Sequence, residues 1–309
     1  MRGVEYSAQE PGRTLSDRLS PFEDVLIQDS TIVRLHSKLA KIWPATRSRK
    51  VAANVKVSVL TSAVACGPKS VALFCENTSD VKTLRMGPWI KDRILLIDLG
   101  FYKYQIFARI KENGGYFVSR LKSNANPLII ETHSKCRGRS IDVRGKYLQD
   151  VLKDLKRRVL DVEVEVNFNR RTYRGEEKKD TERFRLMAIY NEDEDKYHMY
   201  VTNISLELLE PEEVARLYGT LWEVEIPFKE LKSRYALDMV PTSNPQVIEA
   251  MIWIAILTLI ISRKIFKVVR ALNPEAKMAR FTTLRWSNIF TENASSLLAG
   301  VLQHMGLET

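Results

Sequence analysis

The sequence predicts an α/β fold: a mixed sheet flanked by helices, with an inserted antiparallel β-rich subdomain. Three observations carry this expectation. Ile94 to Leu99 is a continuous apolar run broken only by Asp98, as a strand buried on both faces would be. Between residues 126 and 205 apolar residues alternate with polar ones, the period of an antiparallel sheet with one wet face. Stretches with helical apolar spacing, at Tyr102 to Glu112, Tyr147 to Leu160, Pro211 to Leu237 and Gln246 to Lys267, supply the flanking layers.

Taken in order, residues 1–20 show no hydrophobic period and are expected to form a poorly ordered arm. Val25 to Leu35 alternates and is rich in β-branched residues, so it is a strand. Val25, Ile27, Asp29, Thr31 and Val33 then share one face, which sets a single carboxylate in an apolar row. Such a group is paired, protonated, metal-bound, or at a strand end in water. Ala52 to Leu60 and Ser70 to Cys75 are the next strands, with Gly67-Pro68 as the turn between them. The run ending at Asp98 and Gly100 opens a cleft at its C-terminal end, although an Asp there can also cap the helix behind it. That helix, Tyr102 to Glu112, stops at Asn113-Gly114-Gly115, and Tyr116 to Leu121 is again a strand.

The same reading divides the chain into an arm (1–20), a first part of the main domain (21–125), the β-rich insertion (126–205), a second part of the main domain (206–270) and short C-terminal helices (271–309). In the insertion, Tyr147 to Leu160 is an amphipathic helix. Val162 to Phe168, Phe184 to Ala188 and Tyr197 to Ile204 are strands. Gln246 to Lys267 is apolar almost all round and should lie buried behind the sheet. Its longest uncharged run, Ala250 to Ser262, is too short to span a bilayer.

Composition narrows the partners. The 309 residues carry a net charge of +10, which favours a polyanion. Three cysteines without a C-x-x-C pair, and only four histidines, argue against a zinc site and for a reducing compartment. The polar N-terminus is no signal peptide, so a cytoplasmic protein is expected, with nucleic acid favoured over membrane. From Ser30 to Cys75 there is no acid, while Arg34, Lys38, Lys41, Arg47, Arg49, Lys50, Lys56 and Lys69 are all basic. A one-sided field of this kind suits a phosphate backbone.

The stretch Leu217 to Leu237 places Tyr218, Glu225 and Lys232 seven apart, on one edge of a single helix seated by Leu217, Leu221, Val224, Phe228 and Leu231. Pro227 should kink that helix near Glu225. Taken alone, an amphipathic helix with a solvated charged face explains the pattern equally well.

The stretch also reads Y-x-x-L-W-x-V-E-x-x-F-K-x-L-K, and in this it resembles the Y-R-E-K signature of the DDE transposases of bacterial and archaeal insertion sequences. The resemblance implies that Glu225 is the third metal-binding carboxylate and that Tyr218 and Lys232 contact DNA phosphates. It extends upstream: L-I-Q-D-S-T resembles the first catalytic block and D-L-G-F followed by Y-F-V-S-R-L-K the second, which gives those roles to Asp29 and Asp98. The family's Arg falls on Leu221, so one phosphate contact is lost. Trp222 is a base-stacking contact or a core tryptophan, and core is the more usual place.

What the resemblance implies is a ribonuclease-H-like catalytic domain holding one or two Mg²⁺, with Mn²⁺ as a substitute. Three carboxylates from two strands and a helix suit such a hard cation, which also takes water and substrate phosphate. The implied reaction is 3′-strand hydrolysis at the ends of the element, followed by transfer into target DNA. The implied partners are double-stranded DNA, as terminal inverted repeats and target, and a second copy of the chain in the DNA complex. Twenty residues before the first strand are too few for the helical DNA-binding domain usual in the family, so an N-terminally truncated chain is expected. Arg47, Arg49 and Lys50 would line the DNA path. Two other classes stay open: a metal-dependent nuclease on the same fold, and a DNA-binding relic without activity.

Overall fold

The computed structural model describes residues 3–5, 17–46, 52–65, 67–133, 135–136, 139–140, 142–170, 179–273 and 282–306. Strand β1 (Gly3–Glu5) precedes the long β2 (Asp24–Leu35), β3 (Ala53–Ser62) and β4 (Gly67–Cys75). A short α1 (Asp80–Thr83) leads to β5 (Arg93–Ile97), α2 (Tyr104–Glu112) and β6 (Tyr116–Arg120). Then come β7 (Leu128–Thr132), the small pair β8 (Lys135–Cys136) and β9 (Arg139–Ser140), α3 (Leu148–Lys153), β10 (Val159–Asn169), β11 (Lys179–Asn191) and β12 (Lys196–Thr202). The chain ends with α4 (Pro211–Gly219), α5 (Glu225–Ser233), β13 (Met239–Val240), α6 (Pro245–Leu272) and α7 (Thr283–His304).

One mixed sheet runs in the order β1-β4-β3-β2-β5-β6-β12-β11-β10-β7, with β13 beside the far end of β2. The pairs β2–β5, β5–β6 and β2–β13 are parallel, and the others antiparallel. The strands of 126–205 are therefore antiparallel, as their alternation implies, and they continue the main sheet through β12 on β6.

Period two sorts the central strands onto two apolar layers. Val25, Ile27, Ile94 and Leu96 join the layer that holds α4, α5 and α6. Leu26, Leu95 and Ile97 face the opposite layer, with Phe107 of α2 and Leu148 of α3. Both faces are thus covered, which is why β5 is buried along its apolar run.

The structure corrects several expectations. The turn after β3 lies at Ala63–Ala65, where Asp24 accepts hydrogen bonds from the Ser62 hydroxyl (2.6 Å) and the Val64 amide (3.1 Å). Gly67-Pro68 instead begins β4, where a missing N–H is tolerated. The helix expected to reach Leu160 ends at Lys153, because Val159 is already paired with Ile189 in β10–β11. Part of the expected arm, Gly3–Glu5, is an edge strand on β4.

The long helix at Pro211–Leu237 is two. Thr220–Val224 winds as a 3₁₀ segment between α4 and α5, so the break precedes Pro227. Pro227 falls in the first turn of α5, where its lost N–H has no partner to miss. α6 is longer than expected and only half buried. Ile248, Ile252, Ile256 and Leu259 lie on the sheet, while Val247, Met251, Ile254, Leu257 and Ile261 are exposed on the other side. The sheet covers a single side of the helix. By length and composition α6 is the one helix among the described residues that could cross a membrane. Among the described residues after α6 there is one long helix, α7, in place of the short ones expected, held by the Trp286 indole donating to the Ser262 carbonyl (2.9 Å).

Candidate functional site

β2 and β5 run parallel in a register that pairs Ile27 with Leu96 and Gln28 with Ile97. The next pair in that register is Asp29 and Asp98, side by side at the C-terminal end of β5. Because Ile27 and Leu96 face the layer of α4–α6, alternation turns Asp29 and Asp98 to the same layer. β2 continues past β5 because β3 pairs with it from Leu26 to Leu35, so Asp29 sits inside a strand and not at its end. Asp98 makes no side-chain capping hydrogen bond to the 3₁₀ turn Leu99–Phe101 behind it, and it is exposed. The capping alternative for Asp98 is thereby removed.

Glu225 arrives from the helical layer over this pair. It is the first residue of α5, exposed, while Val224, Phe228 and Leu231 beside it are buried in the core. Tyr218 does not share its edge, as a continuous helix would require. The ring is buried edge-on against Tyr200 at 5.5 Å, and the hydroxyl takes a hydrogen bond from the Arg120 backbone. Burial first, and the charge of Asp98 next, push that phenol up to about 12, so it stays neutral at any ordinary pH. Lys232 is half exposed in the last turn of α5. Trp222 is 58% exposed, which overturns the core placement expected of it. Leu221 is partly buried against the apolar layer, and Arg216 is exposed on α4 with its Nε on the Glu212 carbonyl at 3.4 Å.

The electrostatics single out Asp29. Its carboxyl is raised to about 6, mainly by burial and further by Asp98, Asp80 and Glu225; the Ser30 amide, at 2.7 Å from Oδ1, opposes this. Three other carboxylates therefore act on Asp29. One of them, Asp80, was not anticipated from the sequence. Its Oδ1 accepts from the Lys56 ammonium (2.9 Å) and the Ser30 hydroxyl (3.2 Å). Lys56 is itself almost fully buried, so it is an internal partner of this cluster and not part of a surface for phosphate.

An excess of carboxylate oxygens fits a divalent cation such as Mg²⁺ by donor chemistry. It is no preformed cage, since no three such groups among the described residues are drawn close enough to hold an ion. The raised Asp29 carboxyl, mainly a consequence of burial, predicts a pH effect in metal-free protein. Above pH 6 the folded chain must ionise a carboxyl that the unfolded chain ionises freely from about 3.8. Asp29→Asn should therefore stabilise the metal-free fold above pH 6, by on the order of 2 kcal/mol. The gain should shrink as pH falls through 6 and vanish below about 4, as read by urea midpoints across pH. An equal gain at every pH would mean that the carboxyl carries no such burden.

Of the basic span, Lys38 and Lys41 are exposed around the 3₁₀ turn Ser37–Leu39, and Arg34 is paired with Asp238. Arg47, Arg49 and Lys50 lie outside the described residues.

Comparison with known proteins gives the following. Residues 20–261 match the family model described as transposase DDE domain. A transposase for insertion sequence element IS1151 of Clostridium perfringens is 25% identical over 247 residues, which is 71% of this chain and 52% of that protein. A transposase for IS231F of Bacillus thuringiensis subsp. israelensis is 24% identical over 271 residues, 75% of this chain and 54% of that protein. The chain thus spans about half the length of the curated relatives it matches. Among solved structures, a piggyBac transposase synaptic complex with hairpin DNA covers 89% of this chain and 53% of its own, at 10% identity and a TM-score of 0.42.

Proposed function

The chain belongs to the transposase DDE domain family, and from that premise we propose that it carries the phosphoryl-transfer site of an insertion-sequence transposase. The observation that carries the reading is that Asp29 and Asp98, one step past the last β2–β5 pair, turn to one face of the sheet, where the charges of Asp98 and of Glu225 at the start of α5 both act on Asp29. The order β4-β3-β2-β5-β6, with antiparallel strands on one side of β2 and parallel ones on the other, supports a ribonuclease-H-like catalytic fold. The β7–β12 strands are then its insertion.

In this reading Asp29, Asp98 and Glu225 hold one or two Mg²⁺, or Mn²⁺ in their place. When bound, such ions supply charge neutralisation for the attacking and leaving oxygens of an in-line displacement. The chain's own part is to fix the geometry. The Ser30 amide orients Asp29, the strand register sets Asp98, and Val224 and Phe228 anchor Glu225. Lys232 meets a DNA phosphate, and Trp222, exposed three residues before Glu225, stacks on a base. Tyr218 acts as a neutral hydroxyl beside Asp98. The substrates are double-stranded element ends and target DNA in the cytoplasm. A second copy of the chain serves the second end.

Labelled duplexes carrying the ends of the encoding element, incubated with protein and Mg²⁺, test the reading. Joined products are expected. Cut ends that are never joined would make the protein a nuclease on this fold, and retention without cutting would make it a binding relic.

Two further outcomes follow from the basic span and from Leu221. Replacing Arg47, Arg49 and Lys50 together should weaken binding to all sequences alike. The slope of log K against log[salt] should flatten by about 0.9 per lost contact; an unchanged slope removes them from the DNA path. Leu221→Arg should raise end cleavage about tenfold, as a charge-assisted phosphate bond of roughly 1.5–3 kcal/mol is gained and some apolar packing lost. Brisk wild-type cleavage with no gain would show that another residue, Arg216 among them, already clamps that phosphate.

A further inference from the structure

The acidic cluster contains one carboxylate that no motif accounts for, and its contacts differ in kind from those of the other three. Asp80 opens α1, in the connection between β4 and β5. Through Oδ1 it holds the Ser30 hydroxyl at 3.2 Å, and Ser30 in turn donates its amide to Asp29 Oδ1 at 2.7 Å. Through Oδ2 it lies against the backbone of Gly100, where a Cβ would come within 3.0 Å. Gly100 belongs to the turn that follows Asp98 directly. Asp80 therefore touches both segments that carry the paired aspartates. Its own position is fixed by the Lys56 ammonium, 2.9 Å from Oδ1 and 2.6 Å from the Thr78 carbonyl.

Lys56 projects from β3, the strand next to β2, and is 7% exposed. A buried ammonium needs close anionic partners, so its presence is explained only by Asp80 and the Thr78 carbonyl it meets. A surface carboxylate would wander between rotamers; this one is pinned. Absence of a side chain at position 100 lets the Asp98 turn approach it.

We infer that Asp80, locked by Lys56, is a positioning residue that sets the spacing of Asp29 and Asp98 for the divalent cation. The inference rests on the reading that those two aspartates hold the ion. Groups behind metal ligands orient them, and their loss weakens metal affinity about 10–100-fold.

The test is a Mn²⁺ titration of the full 309-residue chain, followed by electron paramagnetic resonance, with thermal melting of each variant in chelator alongside. Wild type should bind and Asp29→Asn should not; equal binding by both would end the underlying metal reading itself. Given that difference, Asp80→Ala should weaken Mn²⁺ affinity about 10–100-fold. Asp80→Asn keeps an oxygen for Ser30 and should lose less. Lys56→Met, which unpins Asp80, should also weaken binding. Unchanged affinity in Asp80→Asn and Lys56→Met, whatever their melting temperatures, would overturn the positioning role. Tighter binding in Lys56→Met would overturn it as well, since it would show that the ammonium competes with the ion and that Asp80 is itself a ligand.

Discussion

Asn at position 29 or 98, or Gln at position 225, should abolish strand cleavage while leaving DNA affinity within about threefold of wild type. Each substitution keeps side-chain volume and removes one carboxylate from Asp29 or from the two proposed partners, Asp98 and Glu225, whose charges act on it. The expected loss is at least about a thousandfold in rate, some 4 kcal/mol of transition-state stabilisation. DNA affinity should persist because it is carried by cations spread along the chain, which has a net charge of +10. Removing an acid can even strengthen binding slightly. Filter binding and a cleavage time course on the same preparations separate the two effects. If one variant retains cleavage near the wild-type rate, that residue is not part of the site.

The second large effect concerns stability. Arg185 and Asp161 form a two-pronged ion pair at 2.9 and 2.7 Å, with side chains 2% and 5% exposed. Arg185 also donates to the carbonyls of Ile204 and Leu209, at 3.3 and 2.7 Å. It thereby fastens β11 to the connection that leads into α4. Arg185→Met should cost about 3–5 kcal/mol, because it takes the cationic partner from a buried carboxylate and a donor from two carbonyls. That is a large fraction of the 5–15 kcal/mol typical of a folded domain. The double variant Arg185→Met, Asp161→Leu should recover a good part of the loss, as a buried pair is often replaceable by apolar packing. Denaturant midpoints decide between them. A double variant no better than the single one would show that the carbonyls matter more than the aspartate.

The elements that the sequence reveals are those whose local pattern and tertiary setting agree. β2 and β5 are β-branched or continuously apolar, and their pairing brings Asp29 and Asp98 together without further information. Where a pattern serves two structures, partners decide. Val159 fits the helical spacing behind Leu155, yet in the fold it pairs with Ile189. In the stretch holding Glu225, seven-residue spacing suggests one helix, but the 3₁₀ segment at Thr220–Val224 turns Tyr218 inward and Trp222 outward. Lys56 and Asp80 were hidden for a different reason. In V-K-V-S-V the Lys reads as the wet face of a strand, but β3 is covered on both faces. Only packing reveals that a carboxylate waits there.

The two-residue strand β13 lies parallel to the end of β2, with Met239 beside Arg34 and Val240 beside Leu35. It ties the segment after α5 to the strand that carries Asp29. During translation the chain emerges N-terminus first, so Asp29, Asp98 and the acid-free basic stretch leave the ribosome long before Glu225 and β13. On the proposed assignment, a nascent or prematurely ended chain would carry the first two acids and the basic stretch but lack Glu225 and the β13–β2 pairing that follows it. On that assignment the order of residues along the gene would act as a safety catch, released only when synthesis has passed Val240.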